Sequence, residues 1–339
     1  MKVTVVRPGE LGAAELGLWS QIQHSDAALS SPCLSPQFTR AISTLRDDIF
    51  VGVIEDGNRT VGFFPFERNA AGEAVGSIRR MADYEAVVAL PDATWTAGEL
   101  LRGCNLTQWN FEALVGCQEQ LLQYTSATSW SSVLDLRHGF DAWLESIRRP
   151  GSRYRKHLHA QQRALERDLG SVRFESHADR TEALAWFRDC KSAHYRRTGK
   201  PDHFETPWVA AMVENVHGTQ DEDFTGALSL LHAGDQIVAG HLGMRSRTVW
   251  HYWLPCYDRG FSKYSPGSLL LVEMARNAGQ LGIQCIDLGR GTEDYKSRFS
   301  NGRIAIAAGT VSVDPYGPPY RQPSTAASHS QSPTACAST

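Results

Sequence analysis

The chain lacks the long apolar run that a membrane-spanning helix requires. No window of the 339 residues reaches the roughly 18 apolar residues needed, and the N-terminal sequence MKVTVVRPGE lacks the apolar segment of a signal peptide. The formal net charge of −3 gives no general attraction to nucleic acid or anionic lipid. These absences predict a cytoplasmic protein without a membrane span.

Cysteine is sparse and follows no ligand spacing. The seven cysteines form an odd, widely spaced set without a CxxC pair. Buried thiols in a reducing compartment explain such a set better than a disulfide framework or a zinc site, so we expect no metal centre. The cysteines are Cys33, Cys104, Cys117, Cys190, Cys256, Cys285 and Cys336.

The residues that are present predict two domains followed by a tail. Hydrophobic residues make up 42% and charged residues 21%, which is a globular composition, and the length suits two cores. Two similar hairpin patterns, with turns at Asp56-Gly57 and Gly234-Asp235, indicate a duplicated mixed α/β module. We predict modules at 1–138 and 139–314, and a disordered, Pro/Ser/Thr-rich tail at 315–339.

The most informative stretch runs from Tyr264 to Phe299. Pro266 and Gly267 stand at a predicted helix start, where unpaired N–H groups and the helix dipole favour a phosphate or pyrophosphate. A helix ending at Gly282 and a strand, QCIDL, follow. The next dozen positions are dense in ionisable groups, which predicts chemistry beside an anion site.

A basic stretch lies between Arg148 and Arg167, with seven Lys or Arg residues against one acidic residue, Glu166. One interpretation is a contact with nucleic acid or phosphate. The favoured interpretation is a solvated helix between the modules, with Leu158 and Leu165 facing inward.

The second half resembles a known family. Its order of two helices, three antiparallel strands, a loop with a helix, and one more strand resembles the GNAT acyltransferase fold. The run YDRGFSKYSPGSLLLVEMARNAGQLGIQCIDLGRGTEDYKSRF resembles the GNAT-like family that includes the cellulose-biosynthesis protein CelD, as do VGFFPF, ADYEAVV and HYRRTGKPDHF. This resemblance covers roughly residues 3 to 313, and the two hairpins are similar to those of the Fem peptidyltransferases, which carry two GNAT-like modules.

The resemblance implies tandem GNAT-like modules, the first of them degenerate, and an acyl-CoA co-substrate, with acetyl-CoA favoured. The phosphate loop departs from the usual pattern of Gln or Arg followed by two spaced glycines. The predicted donor-binding residues are Arg259, Lys263, Tyr264, Ser265, Gly267 and Ser268. The predicted acceptor-binding residues are Asp83, Tyr84, His194, His251, Trp253 and Arg290.

Direct acyl transfer from a thioester needs a base, an acid for the leaving thiolate and a group that stabilises developing negative charge. We assign these roles to Asp287, Tyr295 and Lys296 respectively. Each also has a structural alternative: Asp287 could pair with Arg290, Tyr295 could be a half-buried aromatic, and Lys296 could be solvated.

Three function classes remain open. The first is an N- or O-acyltransferase that uses acyl-CoA and a small acceptor, such as an amino sugar, amino acid or polysaccharide precursor. The second is a Fem-like aminoacyl transferase, for which the basic stretch would bind tRNA; nucleic acid is otherwise not an expected partner. The third is a non-catalytic relative that helps assemble exopolysaccharide machinery.

Overall fold

The computed structural model describes residues 1–76, 81–116, 118–148 and 154–313. Within these ranges the strands are β1 (Lys2–Val6), β2 (Ile49–Asp56), β3 (Arg59–Arg68), β4 (Glu73–Val75), β5 (Val88–Ala89), β6 (Gln108–Val115), β7 (Thr125–Asp135), β8 (Val172–Glu175), β9 (Thr225–Ala233), β10 (Gln236–Arg245), β11 (Val249–Tyr257), β12 (Cys285–Arg290) and β13 (Gly302–Ser312). The α-helices are α1 (Ala13–Ser25), α2 (Pro36–Ser43), α3 (Ala97–Gly103), α4 (Gly139–Ser146), α5 (Tyr154–Leu169), α6 (Thr181–Thr198), α7 (Pro207–Gly218), α8 (Pro266–Asn277) and α9 (Asp294–Phe299).

The two halves of the chain repeat one topology. Each has a strand, two helices, a hairpin, a further strand, a helix, and a strand parallel to the preceding one. In the first half these are β1, α1, α2, β2, β3, β4, α3 and β6, and in the second β8, α6, α7, β9, β10, β11, α8 and β12. The pairs β4–β6 and β11–β12 are parallel, whereas the other described strand pairs are antiparallel. The predicted mixed α/β fold with two tandem modules is therefore confirmed.

The two halves share one continuous sheet because they exchange strands at its centre. The strand order is β1-β2-β3-β4-β6-β13-β7-β12-β11-β10-β9-β8, with β5 paired to β3. Strand β7 follows β6 in the chain but pairs with β12, and β13 follows β12 but pairs with β6. β7 and β13 also pair with each other over most of their length. Each half thus completes the sheet of the other.

Helices cover both faces of the second half. Helix α8 buries Leu270, Met274 and Ala275 against one face of the sheet, in a core that includes Trp250. Helices α6 and α7 cover the opposite face through a second cluster that contains Phe187. The apolar spacing that predicted α8 is confirmed. A 3-10 turn, Ala278–Leu281, continues from α8, and Gly282 caps that turn with a left-handed φ of 71°.

The hairpins and the basic helix follow the sequence prediction. Gly57 and Gly234 have φ values of 59° and 55°, the left-handed conformation that both turns need. In α5, Leu158 and Leu165 are buried while the described basic side chains are exposed, as the solvated-helix interpretation requires. Residues 149–153 of the basic stretch and the predicted tail lie outside the described residues.

Several elements were not predicted. No pattern in the sequence predicted β4, α4 or β13, and the stretch that forms α9 was predicted only as a cluster of ionisable residues. The short β4 and the six-residue α9 are too brief for a clear periodic signal. Strand β13 mixes β-branched residues with alanine and glycine, and it pairs with two strands that are distant in sequence.

In the first half, the space beside β6 is filled by the segment that contains Glu85. After β4 ends at Val75, Glu85 pairs with β6 through backbone hydrogen bonds to Ala113 and Val115. The buried Glu85 carboxylate also accepts from the N–H groups of Glu112 and Ala113, at 2.9 and 3.0 Å. This contact anchors the segment of residues 81–88, which continues toward the second half.

We predict that Gly309→Ala destabilises the protein, because a Cβ there would lie 2.1 Å from the Tyr124 carbonyl oxygen. Overpacking of this kind costs about 1–3 kcal/mol. The matched control is Gly17→Ala on α1, where a Cβ meets nothing within 4 Å; it is expected to gain about 0.5–1 kcal/mol. The free energy of unfolding in urea measures both changes. Equal stability of the two variants would contradict the proposed packing of β13.

Candidate active site

A groove opens where β11 and β12 separate. The two strands pair in parallel from Val249–Cys285 to His251–Asp287, and the described register ends there. Beyond this point β12 has a register irregularity against β7, between Asp287 and Arg290, and Gly289 adopts a φ of 73°. The separated strand ends flank a cavity of about 780 Å³. A ligand of extended shape can enter between them.

The N-terminus of α8 lies at the wall of this groove. Ser265 precedes Pro266 with φ 53° and ψ 48°, a left-handed conformation that is rare for a residue with a side chain. Ser265, Gly267 and Ser268 line the groove. A Cβ on Gly267 would lie 3.5 Å from Tyr257, so the glycine leaves open space beside the first turn. The positive end of the helix dipole therefore meets the cavity.

Basic side chains of α6 line another wall. Lys191 is buried and donates to the Pro255 carbonyl at 2.9 Å, and burial lowers its pKa to about 8. His194 Nδ1 lies 3.0 Å from the Arg197 guanidinium. Burial, with Lys191 and Arg197 nearby, lowers the pKa of His194 to about 4, so its ring is neutral at pH 7. Lys200 also lines this wall, which therefore favours anionic or hydrogen-bond-accepting groups.

Beneath the groove lies a cluster of charged groups from both halves. His251 Nε2 is 2.9 Å from Asp83 Oδ2, and His251 Nδ1 is 3.3 Å from Asp287 Oδ2. His251 and Asp287 have no exposed side-chain surface, whereas Asp83 is 28% exposed and lines the groove. Asp287 also accepts hydrogen bonds from Ser131 Oγ at 2.5 Å and from the Gly289 N–H at 2.9 Å. The cluster thus runs from a buried carboxylate to one that faces the cavity.

The electrostatics of this cluster favour its charged form. Burial alone would lower the pKa of His251, but the neighbouring Cys33, Asp287 and Asp83 raise it well above the ordinary value. Burial opposes ionisation of Asp287, yet His251, Ser131 and Tyr84 lower its pKa. An imidazolium between two carboxylates is therefore the favoured state.

Tyr295 and Lys296 lie on α9 at the same groove. Burial, with Glu293 and Asp83 nearby, raises the pKa of the Tyr295 phenol well above its ordinary value, so it carries its proton at neutral pH. Lys296 is buried, donates to the carbonyls of Gly289 and Arg290, and lies 3.2 Å from Glu293 Oε2. Lys296 is therefore not a solvated side chain: it fixes the end of β12 and places a positive charge there.

The structure brings many of the predicted site residues to one cavity. Its lining includes Asp83, His194, Trp253, Ser265, Gly267, Ser268, Arg290, Tyr295 and Lys296. Arg290 also donates to the Glu112 carbonyl at 2.8 Å, so it contacts the first half rather than pairing with Asp287. Trp253 donates through Nε1 to the Met81 carbonyl at 3.1 Å and holds the segment that carries Asp83.

The remaining predicted residues do not line the groove. Asp287, His251 and Tyr84 are buried below it. Arg259 and Lys263 are exposed, and Lys263 lies 3.9 Å from Asp168 at the end of α5. Tyr264 is buried and donates to Asp168 at 2.7 Å, which gives it a structural contact outside the cavity. Their predicted roles, as a base for Asp287 and in binding for the others, remain predictions.

Three residues of the site were missed by sequence reasoning. Lys191 falls mid-helix, where a lysine indicates solvent exposure. Ser131 lies 156 positions from Asp287 in sequence, so no local pattern relates them. Gly289 was not singled out. It has no Cβ, which leaves the space that Asp83 occupies, since a Cβ would lie 3.0 Å from Asp83 Oδ2.

Comparison with known proteins identifies the second half. Residues 152–297 match the profile of the acetyltransferase (GNAT) domain family. The matched stretch covers less than half of the chain. It contains the helix start at Gly267 and both separated strands. Among curated proteins, none matches the sequence.

Solved structures relate the fold of the whole chain to other proteins. FemX has a TM-score of 0.52 at 10% identity, and the alignment covers 77% of this chain and 87% of FemX. A conserved protein of unknown function from Bacteroides thetaiotaomicron has a TM-score of 0.56 at 11% identity, with 91% and 99% covered. A tandem GNAT protein from the clavulanic acid biosynthesis pathway has a TM-score of 0.48 at 11% identity, with 93% and 99% covered. At identities this low, FemX and the Bacteroides protein show a similarity of fold alone.

The described residues were expected to contain buried thiols, no metal site and no membrane-spanning helix. In the described ranges no group of three or more His, Cys, Asp or Glu side chains is arranged to hold a metal ion. Five cysteines of the same ranges are free thiols, and Cys33, Cys104 and Cys256 are buried. None of the described helices is long and apolar enough to cross a membrane.

We predict a pH-dependent stability loss for His251→Gln. The folded pKa of His251 is raised, so its contribution is fully present below about pH 6.5 and is lost as pH rises through the folded pKa. Removing one partner of a buried charge pair costs about 3 kcal/mol. The difference in unfolding free energy between wild type and variant should be largest near about pH 6 and shrink in alkaline solution.

Urea unfolding between about pH 5.5 and 9 measures this difference. The control is His159→Gln on the exposed face of α5, which should change stability by less than about 0.5 kcal/mol at every pH. A difference for His251→Gln that grows with rising pH would contradict a buried imidazolium.

Proposed function

We propose that the protein is an acyl-CoA-dependent acyltransferase, with acetyl-CoA as the favoured donor and an amine of a small molecule as the acceptor. The observation that carries the proposal is the groove between β11 and β12, which has the N-terminus of α8 in its wall. The GNAT domain match of residues 152–297 supports the same class of reaction.

The donor binds along the separated strand ends. Its pyrophosphate lies at the α8 N-terminus, where Gly267 leaves room and the helix dipole favours negative charge. Beyond His251, β11 no longer pairs with β12, so an extended amide-containing arm can bind between the strands. The thioester then reaches the part of the groove that Gly289 and Tyr295 line.

The transfer step uses Tyr295 and Lys296, which line this part of the groove. The acceptor nitrogen attacks the thioester carbonyl, the C–N bond forms and the C–S bond breaks. Tyr295, protonated at neutral pH, donates its proton to the leaving thiolate. The positive charge of Lys296 lowers the energy of the negatively charged intermediate. Each group acts where charge develops, which is the requirement for accelerating the step.

The acceptor is proposed to be an amino sugar, an amino acid or a polysaccharide precursor, in a CelD-like role in exopolysaccharide biosynthesis in the cytoplasm. The support is the resemblance of the stretch from Tyr257 to Phe299, together with the hydrogen-bonding wall of Lys191, His194 and Lys200. Such a wall suits a polar acceptor better than an apolar one.

A Fem-like aminoacyl transferase is the second candidate, because FemX has a similar fold and α5 exposes basic side chains. The two candidates differ in donor, so the test offers each donor separately. Thiol release from acetyl-CoA and longer acyl-CoA with a panel of amines supports the first candidate. Transfer from charged tRNA, without binding of acyl-CoA, supports the second. Inactivity with both donors indicates a non-catalytic accessory protein.

We predict that Gly267→Val raises the dissociation constant of acetyl-CoA about tenfold, because the larger side chain crowds the pyrophosphate position. Calorimetric titration measures this constant. The matched control is Gly279→Val, just beyond the other end of α8, where a Cβ meets nothing within 4 Å; its donor affinity should equal that of the wild type. Unchanged affinity in the Gly267 variant would refute the phosphate-site assignment.

We predict that Tyr295→Phe lowers kcat about 100-fold, because it removes the acid for the thiolate. Donor affinity should be unchanged, and Tyr124→Phe, outside the groove, should retain full kcat. Lys296→Ala should also lower turnover, but it additionally removes the contacts that fix the end of β12. Steady-state thiol release measures kcat, and a fully active Tyr295→Phe would exclude the phenol as the acid.

A further inference from the structure

We propose that Asp83, contributed by the first half of the chain, is the base of the acyl-transfer site, and that buried His251 and Asp287 position it. The inference rests on the proposed function. It assigns the proton acceptor to a residue outside the matched GNAT stretch of residues 152–297. The active site is then completed by both halves.

The exposure of the side chain decides which of Asp83 and Asp287 can act as the base. The base must touch the acceptor amine, and Asp287 has no exposed side-chain surface and does not line the groove. Asp83 is 28% exposed and lines it. One of its oxygens, Asp83 Oδ2, is 2.9 Å from His251 Nε2. Asp83 is therefore the member of the cluster that can accept the proton.

His251 and Asp287 act through Asp83 rather than on the substrate. The His251 ring lies between the two carboxylates, so its charge attracts and orients Asp83. Asp287 keeps that charge compensated in a fully buried position and is itself held by Ser131 and the Gly289 N–H. The fixed carboxylate needs no reorganisation when the acceptor binds.

Two further contacts fix the segment that carries Asp83. The Glu85 carboxylate accepts from two N–H groups of β6, and Trp253 donates to the Met81 carbonyl. Gly76 is required beside Glu85, because a Cβ there would lie 2.7 Å from Glu85 Oε1. The segment is thus anchored on both sides of Asp83.

The proton balance of the step is complete. As the C–N bond forms, the amine nitrogen loses a proton to an Asp83 oxygen, and the electrons of the breaking C–S bond go to the thiolate. The thiolate takes a proton from Tyr295. Solvent then removes the proton from Asp83 and returns one to Tyr295, so the step needs no further reactant.

The first test compares Asp83→Asn with Asp83→Glu and with Asp56→Asn, an exposed aspartate at the end of β2. We expect Asp83→Asn to lower kcat about 100-fold or more with unchanged acetyl-CoA affinity, Asp83→Glu to recover part of the rate, and Asp56→Asn to equal the wild type. Asp287→Asn should cost less than Asp83→Asn. The reverse order of the two losses would overturn the assignment.

The second test measures the pH dependence of kcat/KM. The charged and titratable groups around His251 are Asp83 and Tyr84 on the anchored segment, Asp287 on β12, His241 on β10, and Cys33. In His251→Gln the carboxylates lose the cation that lies 2.9 Å from Asp83 Oδ2, so the acid limb of the profile should move to higher pH. A purely structural role would lower stability without moving this limb.

A third measurement needs no turnover. In side-chain ¹⁵N NMR of the full chain, with His251 assigned by comparison with His251→Gln, the ring should remain doubly protonated at about pH 7.5 and should lose this charge in Asp83→Asn. A neutral His251 there overturns the positioning role. Full kcat in Asp83→Asn overturns the inference but leaves the proposed function intact. If the wild type neither binds acyl-CoA nor releases thiol, the proposed function and the inference both fail.

Discussion

The contact on which the site depends is the charged one between His251 and two carboxylates from opposite halves of the chain. A buried imidazolium is costly unless its charge is compensated at close range. Asp287, on β12, and Asp83, on a loop of the first half, supply that compensation at 3.3 and 2.9 Å. Docking of the two halves and ionisation of the site are therefore coupled: separating the halves would leave this cluster with one carboxylate and exposed to water.

The exchange of β7 and β13 makes this docking rigid. Because each strand pairs with the other half, the relative position of the halves is fixed by backbone hydrogen bonds along the sheet rather than by side-chain packing alone. The core reinforces it, since one cluster joins Trp19 and Phe63 of the first half to Met212 and Met244 of the second. The ion pair between Asp83 and His251 can consequently be held at 2.9 Å.

Local chemistry made part of this structure predictable. The turns at Gly57 and Gly234, the apolar face of α8 and the cap at Gly282 are set by residues close in sequence, and all appear as predicted. The strand exchange is not local, and so β13 was missed. The exposure of the site residues could not be predicted locally: Asp287 is an ionisable residue at a strand end, yet it is buried, and its contacts Ser131 and His251 are distant in sequence.

Because the two halves repeat one topology, the space between β11 and β12 has a counterpart beside β6 in the first half. On the proposed function, only the space between β11 and β12 binds a ligand. In the second half, β11 and β12 separate around a cavity, whereas the corresponding space beside β6 is occupied by Glu85 and its neighbours. The same segment that closes the first gap extends Asp83 to the second. On the proposed function, the segment that fills the space beside β6 is therefore also the one that supplies a fixed carboxylate to the second half. The second half then binds the donor, and the first half removes the proton. Substitutions in residues 81–88 can therefore alter the acceptor site without altering the α8 N-terminus.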